Sequence, residues 1–197
     1  MTGGVTDGSG RPVGDGVPPS GFLAVVASVD DRVDRMFEPL RGQPVFDTAA
    51  KVITGLGDHG WLWTGIAVLR GRRSGPARRQ AVRALGVAGV SSSLVNAGIK
   101  QVVGRARPDT TDLRISSAGV PVRAPTSSSF PSGHTLAAFC SAAVLSRPGH
   151  RGANACLYAA AGLISVSRIH LRAHHASDVA GGIVIGTALG YTVRRFR

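Results

Sequence analysis

The sequence predicts an all-α fold: a polytopic transmembrane helix bundle with about five spanning helices, preceded by amphipathic N-terminal helices. Three observations carry that prediction. Stretches rich in Ala, Gly, Val, Leu and Ser recur at 60–69, 84–99, 136–145, 153–166 and 179–193, and those from 84 onward hold no charge. Their small side chains suit helices packed backbone to backbone in lipid. Charged residues make up only 17% of the chain, below the roughly 25% usual in soluble domains. Arginines, finally, gather in the connections between the apolar stretches rather than along one face.

The elements follow in order. Residues 1–20 contain six glycines and three prolines with hardly any bulky apolar side chain, so they cannot offset the entropy of ordering and read as a disordered tail. The apolar run 22–27 is too short for a signal-peptide core and lacks a compact basic region before it. Over 30–57 the charges of Asp30, Asp31, Arg32, Asp34, Arg35 and Glu38 alternate with Val33, Met36, Phe37 and Leu40. That pattern predicts one or two amphipathic helices at a membrane surface. The five apolar stretches come next. A crossing needs about 20 mostly apolar residues, so several span only with their small polar flanks. A soluble bundle of buried helices is the competing arrangement. Residues 21–197 are expected to form a single membrane-embedded domain.

Composition narrows the function. A chain of 197 residues is one domain's worth and can bury a core without disulfides or metals. Net charge is +12, and only Lys51 and Lys100 among the basic residues are lysines. An anionic partner, nucleic acid or phospholipid, follows. Aromatic residues are 5% of the chain, too few for a single-strand platform that stacks bases on rings. Cys140 and Cys156 lie in apolar stretches without zinc-site spacing and are expected to be buried and reduced.

Charge also predicts sidedness. Arg70, Arg72, Arg73, Arg78, Arg79 and Arg83 form one cluster, Arg147 and Arg151 a second, Arg194, Arg195 and Arg197 a third. If the intervening stretches span, all three share a face, and arginine-rich short loops mark the cytoplasmic side. Segments 100–133 and 168–178 then lie on the opposite face.

Those two segments hold the chemistry. Lys100 precedes Arg107 and Pro108 by about two helical turns, so two cations share a face, as one phosphate requires. Pro131, Ser132, Gly133 and His134 stand directly before an apolar helical pattern. Gly133 clears room, and the free amides of a first turn face an anion. Ser167 and Arg168 are followed by His174 and, four residues on, Asp178. On a helix that spacing puts carboxylate and imidazole on one face, where Asp178 fixes the tautomer of a nucleophilic histidine. His170, Arg172 and His175 match no role and read as rim residues.

Lys100-x6-Arg107-Pro108, Pro131-Ser132-Gly133-His134 and Ser167-Arg168-x5-His174-x3-Asp178 resemble, in order and in full, the three-part signature of the type 2 phosphatidic acid phosphatase superfamily. Members commonly have six spanning helices, against at most five here. The resemblance implies hydrolysis of a phosphomonoester or pyrophosphate through a phosphohistidine, with neither metal nor cofactor. His174 would attack phosphorus with Asp178 orienting it. Lys100, Arg107, Arg168, the Ser132 hydroxyl and the Gly133 amide would hold the nonbridging oxygens. His134 would protonate the leaving oxygen and then activate water. The expected substrate is a phosphorylated lipid, a polyprenyl phosphate derivative or one like phosphatidic acid, reached from the bilayer of the inner membrane with the site on its extracytoplasmic face. A vanadium-dependent haloperoxidase is the rival within the superfamily, since the same cradle binds vanadate, although those resemble larger soluble proteins. A basic nucleic-acid-binding protein is the rival outside it, but its arginines should form one stripe. No nucleic-acid partner is expected, and nothing in the sequence fixes an oligomeric state.

Overall fold

A computed structural model of the protein describes residues 21–71, 75–108 and 127–195. The expected tail 1–20 and the middle of the segment between Lys100 and Gly133 lie outside the described residues. Among those described there is no strand. The α-helices are α1 (Phe22–Phe37), α2 (Pro44–Gly57), α3 (Trp61–Gly71), α4 (Gly75–Val103), α5 (Gly133–Leu145), α6 (Arg151–His170) and α7 (Ala176–Arg195), with 3-10 turns at Glu38–Leu40 and Asp58–Gly60.

α5 is the axis of the bundle. Leu136, Cys140, Ala142, Ala143 and Val144 on it are fully buried, because α3 and α6 close over one side and α4 and α7 over the other. On the first side Trp63, Ala67, Leu157, Ala161 and Ile164 pack against Ala138, Ala142 and Leu145. On the second, Ala84 and Ala88 meet Cys140 and Val144. The tightest seam joins α5 to α7. A methyl group on Gly182 would stand 2.9 Å from the Ser132 carbonyl oxygen, one on Gly190 would stand 2.6 Å from that of Cys140, and one on Gly186 would collide with that of Leu136. Three glycines four residues apart let two backbones touch, the packing device of helices in lipid.

Two helices, α4 over Ala81–Val103 and the whole of α7, are long and apolar enough to cross a membrane. The other apolar stretches fall short for stated reasons. α3 with 11 residues and α5 with 13 rise only about 17 and 20 Å at 1.5 Å per residue, against a hydrocarbon layer of about 30 Å. α6 has 20 residues but carries Arg151, Asn154, Arg168 and His170. Length and composition alone therefore do not carry the expected count of about five.

The run 22–27 begins α1, whose amphipathicity is inside out. Phe22, Val25, Val29 and Met36 share an exposed face, while Asp30 is buried and Asp34 half-buried on the other. One cysteine departs from expectation: Cys140 is buried, but Cys156 is exposed, on the outer surface of α6.

Candidate active site

Four helix ends converge. α4 and α6 arrive by their C-termini, and α5 and α7 depart by their N-termini. Gly104, at φ 58°, stops α4 with the left-handed residue common after a helix C-terminus. Main-chain bonds stitch the segments together: Ser129 N–H donates to Arg105 O at 2.7 Å, and Ser132 N–H to Asp178 O at 3.1 Å. The Ala173 and His174 amides both donate to Arg168 O, which folds the histidine loop back onto the end of α6. All three motifs meet in this one place.

His174 is buried, at 3% exposure. Its Nδ1–H donates to the Ser129 carbonyl at 2.8 Å, and Arg107 Nη1 stands 3.4 Å from Nε2. The tautomer is thus fixed with the lone pair on Nε2, beside a guanidinium. Asp178 Oδ2 lies 3.8 Å from Nδ1, in ion-pair reach but longer than a hydrogen bond. The reason is local. α7 starts at Ala176, so His174 is in the loop before the helix, not one turn along it. Asp178, third in the helix, turns its carboxylate back to accept the His175 N–H at 2.8 Å, the capping-box arrangement. Asp178 acts on His174 through Ser129, whose hydroxyl donates to Oδ2, and through its charge.

The cations gather at this rim. Arg107 is held by the carbonyls of Ala173 (2.7 Å) and Ser127 (3.2 Å), and Lys100 Nζ approaches the Ser127 hydroxyl at 3.4 Å. Arg168 Nη1 donates to Thr54 at 2.9 Å, but its Nε is buried with no partner. Buried donors are nearly always paired, so this one has a bond to offer a ligand. The charge of Arg168 acts on both His134 and His174, that of Lys100 on His134 and that of Arg107 on His174. Ser132 is fully buried, and its hydroxyl accepts from Thr135 at 3.1 Å, leaving its own proton to give. The first helical bond of α5 runs from Leu136 N–H to Ser132 O, so the amides of Gly133 and His134 precede it and are free for a ligand.

Sequence reasoning missed four residues here. Asp58 Oδ1 binds His134 Nε2 at 2.6 Å. Ser129 orients His174. Arg105 joins Asp178 (2.7 Å), Ser177 (2.6 Å) and Asp30 (2.7 Å), and Asp30 also accepts the Ser177 N–H at 2.7 Å. Acids on α1 without a local basic partner were the available signal. Two presumed rim residues are also reassigned. His170 is buried and ties α6 to Asp47 of α2 at 2.8 Å. Arg172, at φ 47°, binds Asp34 and Glu38 at 2.9 Å each, while Arg41 caps the end of α6 through the Ile169 and His170 carbonyls.

A buried imidazole with its lone pair beside Arg107 and under the charge of Arg168, next to a helix N-terminus with open amides, makes an anion-binding centre in a helical bundle. The family model described as the PAP2 superfamily matches residues 81–197, and the chain belongs to that superfamily. It is 30% identical over 178 residues to a decaprenylphosphoryl-5-phosphoribose phosphatase of Mycobacterium tuberculosis, covering 89% of this chain and 90% of that one. It is 32% identical to a lipid A 1-phosphatase of Rhizobium johnstonii over 69% of this chain and 62% of the relative. Among solved structures it resembles a transmembrane PAP2 type phosphatidylglycerolphosphate phosphatase from Bacillus subtilis, with TM-score 0.64 and 26% identity over 87% of this chain and 86% of that one. It shares its fold with Aquifex aeolicus LpxE, at TM-score 0.66 and 24% identity over 83% and 93% of the two chains.

Proposed function

We propose that the protein is a membrane lipid phosphatase that cleaves a phosphomonoester through a phosphohistidine, without a metal. The observation that carries this is the pairing of a lone pair on His174 Nε2 with the unpartnered donor of Arg168. In the first step Nε2 attacks phosphorus, the ester P–O bond breaks, and His134 gives its proton to the leaving oxygen. The phosphorylated imidazole is cationic, and the Ser129 carbonyl and the Asp178 charge offset it. In the second step His134 takes a proton from water, the water oxygen bonds to phosphorus, and the P–N bond breaks. Lys100, Arg107 and Arg168, with the Ser132 hydroxyl and the Gly133 amide, balance the charge on the nonbridging oxygens. The relatives' names support a phosphorylated polyprenyl derivative as the first substrate to try. Residues 21–197 form one membrane-embedded domain in this reading, with α3 to α7 as its crossings and the site on the extracytoplasmic face.

The test is phosphate release in detergent from a panel of lipid phosphates and pyrophosphates. His174→Ala is expected to lose at least ~1,000-fold in kcat, as loss of a nucleophile does, while keeping the thermal unfolding transition of the native protein. EDTA is expected to leave turnover intact. Undiminished release by the folded variant rejects the histidine route, and strict Mg2+ dependence rejects the cationic clamp.

A further inference from the structure

A cavity of about 710 Å3 opens beside His134 between α3, α4 and α5. Its α4 wall follows the line Val82, Gly86, Gly89, Ser93 and Asn96, three or four apart on one helix face, with Leu85 and Ser92 beside it. The next position on that face is Lys100. The cavity is therefore a groove that runs about 21 Å along α4 at 1.5 Å per residue, its upper end beneath the phosphate cradle. Small residues keep it open: a methyl group added to Gly86 or Gly89 would meet nothing within 4 Å. Apolar along most of its length, it has room for a lipid chain.

Asn96 sits where groove and cradle meet. Its amide packs on Gly133, whose added Cβ would lie 3.2 Å from Nδ2 and 3.4 Å from Oδ1, and its Oδ1 is buried with no hydrogen-bond partner. This is the converse of Arg168: a buried acceptor that lacks a donor. It lies one turn below Lys100, on the His134 side, where the leaving oxygen must be. The Asp58 carboxylate lines the same cavity and offers a second acceptor. An ammonium donor would stand among Lys100, Arg107 and Arg168, which repel it. A hydroxyl carries no charge and meets no such penalty.

We infer that Asn96, together with Asp58, binds hydroxyl groups of the leaving group, so that the scissile phosphate is carried on a polyhydroxylated unit such as a sugar, with its lipid chain in the groove along α4. This rests on the phosphatase reading above and adds what that reading leaves open, the identity of the leaving group.

Two esters with the same alkyl chain decide it: an alkyl glycoside phosphorylated on its sugar, and the plain alkyl phosphate, both assayed in detergent. The native protein is expected to favour the glycoside phosphate at least tenfold in kcat/KM. Asn96→Leu, of similar size but without an acceptor, is expected to abolish that preference, mainly through a higher KM for the glycoside. Equal losses on both esters would make Asn96 a packing residue and overturn the inference. Absence of any preference in the native protein would overturn it as well, and that comparison needs no folded variant. Failure of the phosphatase reading looks different, since neither ester would then release phosphate.

Discussion

Arg105 stands two positions before Arg107 and does other work. Its guanidinium joins Asp178, which is fully buried, to Asp30, which is 4% exposed. Removing it strands two carboxylates away from water, and breaking such a buried pair typically costs about 3–5 kcal/mol. Arg105→Gln is accordingly expected to lower the unfolding temperature and to reduce kcat, while KM changes little because Lys100, Arg107 and Arg168 stay in place. Steady-state kinetics beside a thermal melt check this; a change in KM alone would make Arg105 a substrate contact instead. His174 sets the pH dependence. Burial pushes its imidazole down to about 4, with Arg107 and Arg168 acting the same way and Asp178 opposing them. Attack needs the neutral ring, so the acid limb of kcat/KM is expected near pH 4 rather than at the ordinary value near 6.5. The sign for folding agrees: between pH 6.5 and 4 the unfolded chain binds the proton and the folded one does not, so this contribution to stability is full above 6.5 and lost as pH falls toward 4. A pH–rate profile with its acid limb at 6.5 would contradict the burial argument. Lys100, Arg107, His134, Arg168 and His174 were legible because short spacings expose them. Arg105, Asp58 and Ser129 were not, since their partners lie 45 to 76 residues away and no local period records such a pairing.

At the scale of elements, the seam between α5 and α7 bears the site directly. The glycines at 182, 186 and 190 hold the two backbones together, and the first of them faces Ser132, where α5 and the proposed phosphate site begin. Gly186→Leu would drive a side chain into the Leu136 carbonyl, a backbone atom that cannot rotate aside. Overpacking of this kind costs about 1–3 kcal/mol or more, and here it also separates Ser132 from Asp178. Loss of activity together with a lowered melting temperature is the expected outcome; Gly86→Ala, on the open groove face, is expected to melt as the native protein does. A Gly186→Leu protein as stable as the native one would mean the seam is looser than the backbone distances imply. Each of the five apolar stretches read from the sequence falls within a helix, α3 to α7, but for Gly60 just before α3, because lipid-facing and buried helices share the same composition. Their ends were harder to place. α4 starts at Gly75, well before residue 84, since arginine is a good helix former and does not interrupt the pattern. The orientation of α1 was illegible for a related reason: amphipathicity shows that a helix has two faces but not which one turns inward, and here the acids do, drawn by Arg41, Arg105 and Arg172.

The whole molecule separates its charges end from end. Among the described residues every side-chain carboxylate lies on α1, the turn after it, α2, the turn after that, or at the start of α7: Asp30, Asp31, Asp34, Glu38, Asp47, Asp58 and Asp178. The opposite end carries Arg78, Arg79, Arg83, Arg147, Arg151, Arg194 and Arg195 with no acid among them. At the site end Arg41, Arg105 and Arg172 are paired with carboxylates, while Lys100, Arg107 and Arg168 are in no ion pair among the described residues. The arginine end has only headgroups or solvent to meet, and the anionic cytoplasmic leaflet attracts such clusters by about 1 kcal/mol per residue near the surface. Insertion should therefore leave the arginine end in the cytoplasm and the site outside it. The exposed apolar face of α1 would then rest in the outer interface, beside the rim it braces through Asp30 and Asp34. Single cysteines test this orientation. With Cys156 replaced by serine and Cys140 buried, Gln43→Cys places an exposed thiol near the site end and Pro148→Cys one at the arginine end. A membrane-impermeant maleimide added to intact cells is expected to label the first at once and the second only after the membrane is permeabilised. The reverse pattern would put the phosphate cradle in the cytoplasm, and the arginine clusters would then need a purpose other than orientation.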